Sequence, residues 1–540
     1  MSTHSDHDYD WLIIGSGFGG SVAALRLAEK GYRVAVLECG RRFADDELPK
    51  SLGQLRRSVW MPRLGLKGTL RLTAFKDVMI LSGSGVGGGS LVYAQTLYRA
   101  QPRFFEEWRK VSGDAPDLDA HYDTAERMLG VVTHRGETPA DVLLRGVAEE
   151  MGVPETFHKA RVGVYFGEPG VTVPDPFFGG EGPPRTGCIS CGLCMLGCRY
   201  NAKNTLPKNY LWLAEHRGVE IVPDRTVTSI SPLGAADGSD GYAVTSQRSG
   251  AWVARNERTL TAGGVVVAAG ALGTNLLLAR CKHRGSLPRT SDRLGQLVRT
   301  NSESLTAVTV PEDRGWGHSV AITASIHPDA SSHSETVTYG SGGDLMGLLF
   351  TLLTPDGTRL TRPLKLLAQI VRHPMRFVRA SNPRGWSRRS LVTGVMQTLD
   401  ASLSLVPKRA GLGGRLRLTT KQDPHHPNPT FLPFANEVAQ RLADATGGIA
   451  QSWFSEAMLN IPVTAHILGG VVPAVDPSRG VIDMDHRVFG YQNLLVCDGS
   501  AVPANPGANP SLTITAMAER AMAAVPMRPG ARATRSLEIV

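Results

Sequence analysis

The sequence predicts an α/β protein centred on a Rossmann-like, dinucleotide-binding sheet whose strands come from distant parts of the chain. Three stretches carry that expectation: "DWLIIGSGFGGSVAALRLAEKGYRVAVLECG" (10–40), "LSGSGVGGGSLVYA" (81–94) and "GGVVVAAGALGTNLLLA" (263–279).

In the first stretch an apolar β-run over Leu12 to Ile14 leads into Gly15, Gly17 and Gly20, with Phe18 and Gly19 between them. An apolar-periodic helix follows through Leu27, then a second strand from Arg33 to Leu37 that ends at Glu38. This strand–turn–helix–strand order is the context a G-x-G-x-x-G fingerprint needs. Gly15 permits the tight turn, Gly17 lets backbone approach a pyrophosphate, and Gly20 lets the helix pack close to the strand. The helix start supplies N–H donors and positive dipole to the phosphates, and Glu38 suits the ribose hydroxyls. The second stretch places five glycines between Gly83 and Gly89, including Gly87 and Gly88, and closes on Ser90. Backbone there passes close to something large. The third reads as another parallel strand of the same sheet, turning at Ala269–Gly270 into a helix.

Two late segments complete the pattern. "NIPVTAHILGG" (460–470) places His466 before Gly469 and Gly470. "NLLVCDGSAVPANPGANPSLTITAMAERAM" (493–522) is a strand ending at Asp498–Gly499–Ser500, a Pro/Gly loop, and a helix starting near Asn509–Pro510–Ser511. Proline at a helix start fits because its missing N–H would have no partner there.

Composition frames these motifs. The 540 residues are 42% hydrophobic and 20% charged, enough for a large core and against global disorder. The polar start "MSTHSDHDYD" carries no secretory pattern. The weakly polar run 264–279 is too short for a membrane span. A cytoplasmic location is expected, where disulfides seldom persist. Net charge is +9, and residues 357–399 hold nine Lys or Arg and no acid. Apolar residues interleave there, as in "KLLAQIVRHPMRFV" (365–378), although Pro374 interrupts any single helix. Such a stretch is either a solvated basic face or a peripheral contact with an anionic membrane. No nucleic-acid motif accompanies the charge, so nucleic acid is not an expected partner.

On the N-terminal fingerprint, "GVGGGS" (85–90), "AAGALGT" (268–274), "TNSES" (300–304), "HILGG" (466–470) and "DGSAVPANPGANPSLTITAMAER" (498–520), the chain resembles the glucose–methanol–choline family of flavin oxidoreductases. It is most similar to that family's cholesterol-oxidase and long-chain-alcohol-oxidase branch. The resemblance implies an FAD-binding domain interleaved with a substrate domain built on an antiparallel sheet. Residues 1–130, 199–305 and 465–525 would form the first, 306–464 the second, 131–198 a Cys-rich insertion, and 526–540 a tail. It also implies oxidation of an alcohol by hydride transfer to flavin N5, with His466 receiving or orienting the hydroxyl proton. Asn509 would hydrogen-bond the hydroxyl or flavin edge. Asp498 and Gly499 would lie along the ribityl–phosphate part, and Pro510 at the start of a helix facing the reduced ring. No histidine lies between His7 and His121, so the FAD is expected to be non-covalent. The stretch 385–400, loosely aligned with one that carries an active-site glutamate in steroid-oxidising relatives, holds none. That weighs against a double-bond isomerisation after oxidation, which needs a carboxylate shuttle.

Cys188, Cys191, Cys194 and Cys198 form a C-x2-C-x2-C-x3-C run with ferredoxin spacing. Either an iron–sulfur cluster occupies it or buried thiols shape a loop beside the FAD domain. No second run and no following proline accompany it. The favoured substrate is a lipophilic alcohol, a 3β-hydroxysteroid such as cholesterol first. A long-chain fatty or terpenoid alcohol, and a flavin/iron–sulfur electron carrier, are the alternatives. Oxygen or an acceptor protein would take the electrons.

Overall fold

The apolar run before the first glycine loop becomes the centre of a seven-stranded sheet. The computed structural model describes residues 7–410 and 415–531; residues 1–6 of the polar start and 532–540 of the expected tail lie outside the described residues. Strand β1 (Tyr9–Ile14) pairs in parallel with β2 (Val34–Leu37) on one side and β3 (Arg258–Val267) on the other. Strand Glu220–Val222 continues the sheet beyond β2. β3 is long enough to serve two neighbours on one edge. Its residues 258–262 run antiparallel to strand Tyr242–Arg248, and 265–267 run parallel to strand Leu494–Val496. Leu12, Ile13, Val265, Val266 and Val496 are fully buried. Adjacent strand residues point to opposite faces, so the sheet is covered on both, which explains apolar runs without alternation. Helix α1 (Phe18–Glu29) packs on β1 and β2, and α2 (Gly270–Arg284) on strand Arg225–Pro232.

A second seven-stranded sheet is antiparallel throughout. Its order is Phe350–Leu352, Ile449–Trp453, β4 (Ser304–Thr309), Ser390–Gln397, β5 (Ser332–Val337), Ile322–Asp329 and His158–Lys159. Helices Pro433–Thr446 and Pro139–Glu150 cover one face, burying Val438, Ala439, Leu442 and Leu144. Period-two alternation puts His333, Glu335 and Val337 of β5 on the same face. The edge strand His158–Lys159 comes from the segment read in sequence as an insertion.

The basic stretch forms two helices, α3 (Thr361–Arg372) and α4 (Pro374–Ala380), and Pro374 opens the second, where its missing N–H costs no bond. α3 packs on α5 (Phe454–Leu459). The chain then passes through strand Val463–Thr464, parallel to strand Met79–Gly83, and reaches His466. This pairing joins the second glycine loop to the histidine. Helix α6 (Ser511–Ala523), with Pro510 at its N-cap, packs on α1. Among the described residues no helix is long and apolar enough to cross a membrane.

Candidate active site

The glycines of the first loop answer to different neighbours. Gly15 has φ +103°, and a Cβ there would lie 2.2 Å from the Ala268 carbonyl oxygen. A Cβ on Gly19 would lie 1.8 Å from the Cys497 oxygen, and on Gly20 2.0 Å from the Gly15 oxygen. α1 is therefore pressed against the ends of β1, β3 and strand Leu494–Val496. Gly17 differs: its Cβ would meet nothing within 4 Å, and it caps α1 with no side-chain hydrogen bond. There is thus room beside the backbone at the start of α1, an arrangement that fits a pyrophosphate.

Glu38, at the end of β2, accepts hydrogen bonds from Ser16 N (3.0 Å), Ser16 Oγ (2.8 Å) and Gly40 N (2.8 Å). Gly87 N donates to Ser16 Oγ at 3.1 Å, which docks the second glycine loop on the first. A Cβ on Gly88 would come within 2.9 Å of Gly17 Cα, and one on Gly83 within 2.6 Å of the Gly88 oxygen. Ser90 Oγ donates to Gly87 O and accepts from Leu206 N. Phe18 meets Tyr93 edge to face at 5.6 Å. α2 begins at Gly270 with Ala269 as its cap, and Gly270 N donates to Asp498 at 2.9 Å. Asp498 also accepts from Thr274 Oγ1 and from Ser500 N and Oγ, so its oxygens are engaged within the chain. Burial raises its pKa against these hydrogen bonds. Gly499 brings that turn against Leu468 and Ile467. An open helix start and two interlocked glycine loops fit the adenine-dinucleotide part of FAD.

Around His466 and Asn509 two polar pairs meet. His466 Nδ1 lies 3.1 Å from Glu303 Oε2. That oxygen also accepts from Thr464 Oγ1 and Ala465 N, both at 2.9 Å, which fixes the carboxylate. Burial lowers the imidazole pKa, but the nearby charge of Glu303, with that of Glu335, outweighs it and the net shift is upward. Asn509 donates through Nδ2 to Glu335 Oε1 at 3.1 Å, and its Oδ1 has no partner in the protein. Glu335 Oε2 lies 3.6 Å from His333 Nε2. Asn301 ties the two pairs together. Its Nδ2 donates to Ala508 O and its Oδ1 accepts from Gly507 N, two residues before Asn509 and two before Glu303 in their respective segments.

Neither glutamate was expected from sequence. Glu303 stood inside "TNSES" with no signal for its partner, and Glu335 lies 174 residues from Asn509, met only through the strand order of the second sheet. The stretch 385–400 lacks a glutamate as expected, yet β5, hydrogen-bonded alongside it, brings Glu335 to Asn509. A carboxylate therefore stands beside Asn509, although 385–400, whose lack of a glutamate weighed against a double-bond isomerisation, does not supply it.

Of the two readings of the Cys run, buried thiols and an iron–sulfur cluster, the cluster is not supported. Among the described residues no group of three His, Cys, Asp or Glu side chains is placed to hold a metal ion. Cys188, Cys191, Cys194 and Cys198 are free thiols lining a cavity of about 20 Å³, shared with Val164, Val320 and Lys203. That is room for about one water, not a cubane. Cys198 Sγ accepts from Ala202 N, while Cys188 and Cys194 pack against the apolar cluster around Val164 and Val320. Burial pushes the Cys188 thiol up to about 11 and Cys194 to about 12. Lys203, buried beside them, donates to the carbonyls of Leu91, Tyr93 and Cys194, which ties the Cys loop to the loop after Ser90.

This combination of fold and site is that of a flavin-dependent oxidoreductase. A family model described as FAD dependent oxidoreductase matches residues 10–345, and one described as GMC oxidoreductase matches 414–518. The chain belongs to the GMC family of FAD-dependent oxidoreductases and is an FAD-dependent alcohol oxidoreductase. It is 50% identical to a protein named cholesterol oxidase from Mycobacterium tuberculosis, over 95% of this chain and 90% of that one. It is 43% identical to a cholesterol oxidase from Acinetobacter baumannii, over 97% and 96%. Among solved structures it is similar in fold to pyridoxine 4-oxidase from Mesorbium loti (TM-score 0.60, 14% identity, 95% of this chain and 98% of that one). A fungal aryl-alcohol oxidase is similar as well (TM-score 0.59, 14% identity, 96% and 99%).

Proposed function

We propose that the protein oxidises the 3β-hydroxyl of a steroid such as cholesterol to a ketone, with dioxygen as the terminal acceptor. Similarity to cholesterol oxidases along nearly the whole chain supports the substrate class. The observation that carries the chemistry is the Glu303–His466 pair beside Asn509 and Glu335. When bound, FAD supplies the acceptor for the hydride that leaves the alcohol carbon. Gly17, the Gly83–Ser90 loop, Glu38 and the Ala269–Gly270 turn would hold it without a covalent link.

The alcohol carbon releases hydride readily only if its hydroxyl proton leaves as well. His466 receives that proton at Nε2, the ring nitrogen away from Glu303. The imidazolium that results is stabilised by the carboxylate 3.1 Å from Nδ1. Asn509 has Nδ2 committed to Glu335, which leaves Oδ1 as an acceptor for an N–H donor at the flavin edge, since the hydroxyl's one proton goes to His466. Glu335 supplies a carboxylate able to carry a proton between steroid carbons after oxidation, so a conjugated enone is the expected end product.

In this reading residues 1–130, 199–305 and 465–525 bind FAD, and 306–464 shape the steroid cavity, joined at one sheet edge by His158–Lys159 from 131–198. The enzyme works in the cytoplasm at a membrane surface, because its substrate is insoluble. The test is anaerobic mixing of the yellow holoenzyme with cholesterol or decanol. Bleaching of the flavin by cholesterol supports the assignment. Bleaching by decanol alone would transfer it to long-chain alcohols.

A further inference from the structure

We propose that α3 and α4 form a docking platform for an anionic lipid surface; the proposal deepens the steroid reading above and rests on it. α3 is apolar on two sides. Its inner face, with Leu366 and Ile370, packs on Leu352 and Ala457 together with Phe377 of α4. Its outer face carries Leu360, Leu364, Leu367 and Val371, spaced by four, three and four residues, a single stripe on an α-helix. These four are 81%, 64%, 56% and 73% exposed, and Met375 and Val378 of α4 extend the stripe at 64% and 61%. Isolated exposed leucines need no explanation, but six large apolar side chains in register on adjoining helices do.

Charge selects the occupant. Arg372, Arg376 and Arg379 are exposed along the same two helices, and among the described residues none of them makes an ion pair. Arg362 and Arg359 differ. Arg362 is buried and donates to Thr430 O and Asn460 Oδ1, and Arg359 pairs with Asp77. Among the described residues, Arg372, Arg376 and Arg379 are therefore left without an acidic partner on the helices that carry the stripe. A second copy of the chain docked on this face would set like charges against each other. An anionic lipid surface satisfies both features, taking the apolar stripe into the acyl boundary and the guanidinium groups among the headgroups. The helices are too short to cross a bilayer, which leaves them lying in the interface. The platform also sits on the route to the chemistry. α3 packs on α5, where Phe454 and Leu459 are themselves exposed, and the chain runs from α5 through Val463–Thr464 to His466.

The experiment is co-sedimentation of the full-length holoenzyme with vesicles of phosphatidylcholine alone or mixed with phosphatidylglycerol. Two variants accompany it: Leu364→Ser/Leu367→Ser/Val371→Ser and Arg372→Glu/Arg376→Glu/Arg379→Glu. Anionic vesicles are expected to bind at least about tenfold more tightly than neutral ones, since each basic residue near the surface adds an increment. Both variants should lose about tenfold or more while oxidising detergent-dispersed cholesterol at the parental rate. Parent protein left in the supernatant with both vesicle types, or variants that sediment as the parent does, would overturn the proposal. So would a dimer in light scattering that the serine variant dissociates, which assigns the face to a second copy. Sedimentation with no flavin bleaching by dispersed cholesterol would keep the platform and remove the steroid reading instead.

Discussion

In the proposed chemistry Glu303 and His466 form the smallest working unit. A carboxylate 3.1 Å from one ring nitrogen makes the other a stronger proton acceptor, as the upward pKa shift of His466 records. Replacing His466 by Asn is expected to slow anaerobic flavin reduction at least about 100-fold, measured by stopped-flow absorbance. Glu335→Gln separates the second carboxylate from the first. Oxidation should continue while the conjugated enone, followed by its ultraviolet absorbance, gives way to the unconjugated ketone. At this scale sequence reading reached His466 and Asn509 but not their partners. A carboxylate reveals itself in sequence only through local spacing, and both partners arrive through strand pairing across long separations.

At the scale of elements the glycine loops are the most legible part of the chain, because their constraint is local backbone geometry. The Gly19 position makes the point: a methyl group there would overlap a backbone oxygen, which cannot move aside as a side chain could. Gly19→Ala should displace α1 from the sheet and lose FAD, measured as loss of bound flavin absorbance after gel filtration. The Cys188–Cys198 run was legible in spacing but left two meanings open, since cluster spacing says nothing of what fills the space between the thiols. Here Lys203 and apolar side chains do. Strand Leu494–Val496 carries a pH dependence of its own. His486 is buried with Nδ1 against Val496 O, and burial holds its pKa down at about 4, against about 6.5 when unfolded. Between those values the unfolded state binds more protons. The stability His486 contributes is therefore present above about pH 6.5 and is lost as pH falls towards 4, by up to about 3 kcal/mol. His486→Gln should shrink the difference between denaturant unfolding at pH 7 and pH 4.5.

For the molecule as a whole, two seven-stranded sheets carry the fold. The first was legible at its centre, where residues 12–14, 34–37 and 265–267 are continuous apolar runs closed by turns. The second was expected only through family resemblance, since its strands, such as "SHSETV" (332–337), mix polar and apolar residues without a strong period. Bound FAD should stabilise the fold by mass action. At a hundredfold excess over its dissociation constant it is expected to add about 2.7 kcal/mol, read as a higher Tm than the apoprotein. The central claim is narrower: His466, raised by Glu303, takes the hydroxyl proton. The pH dependence of anaerobic flavin reduction by cholesterol tests it directly, in the parent and in Glu303→Gln. The rate should rise with pH as His466 deprotonates, with the midpoint above about 6.5 in the parent and moved to lower pH in the variant, alongside a slower plateau. An acid limb that stays in place when Glu303 loses its charge would contradict the account.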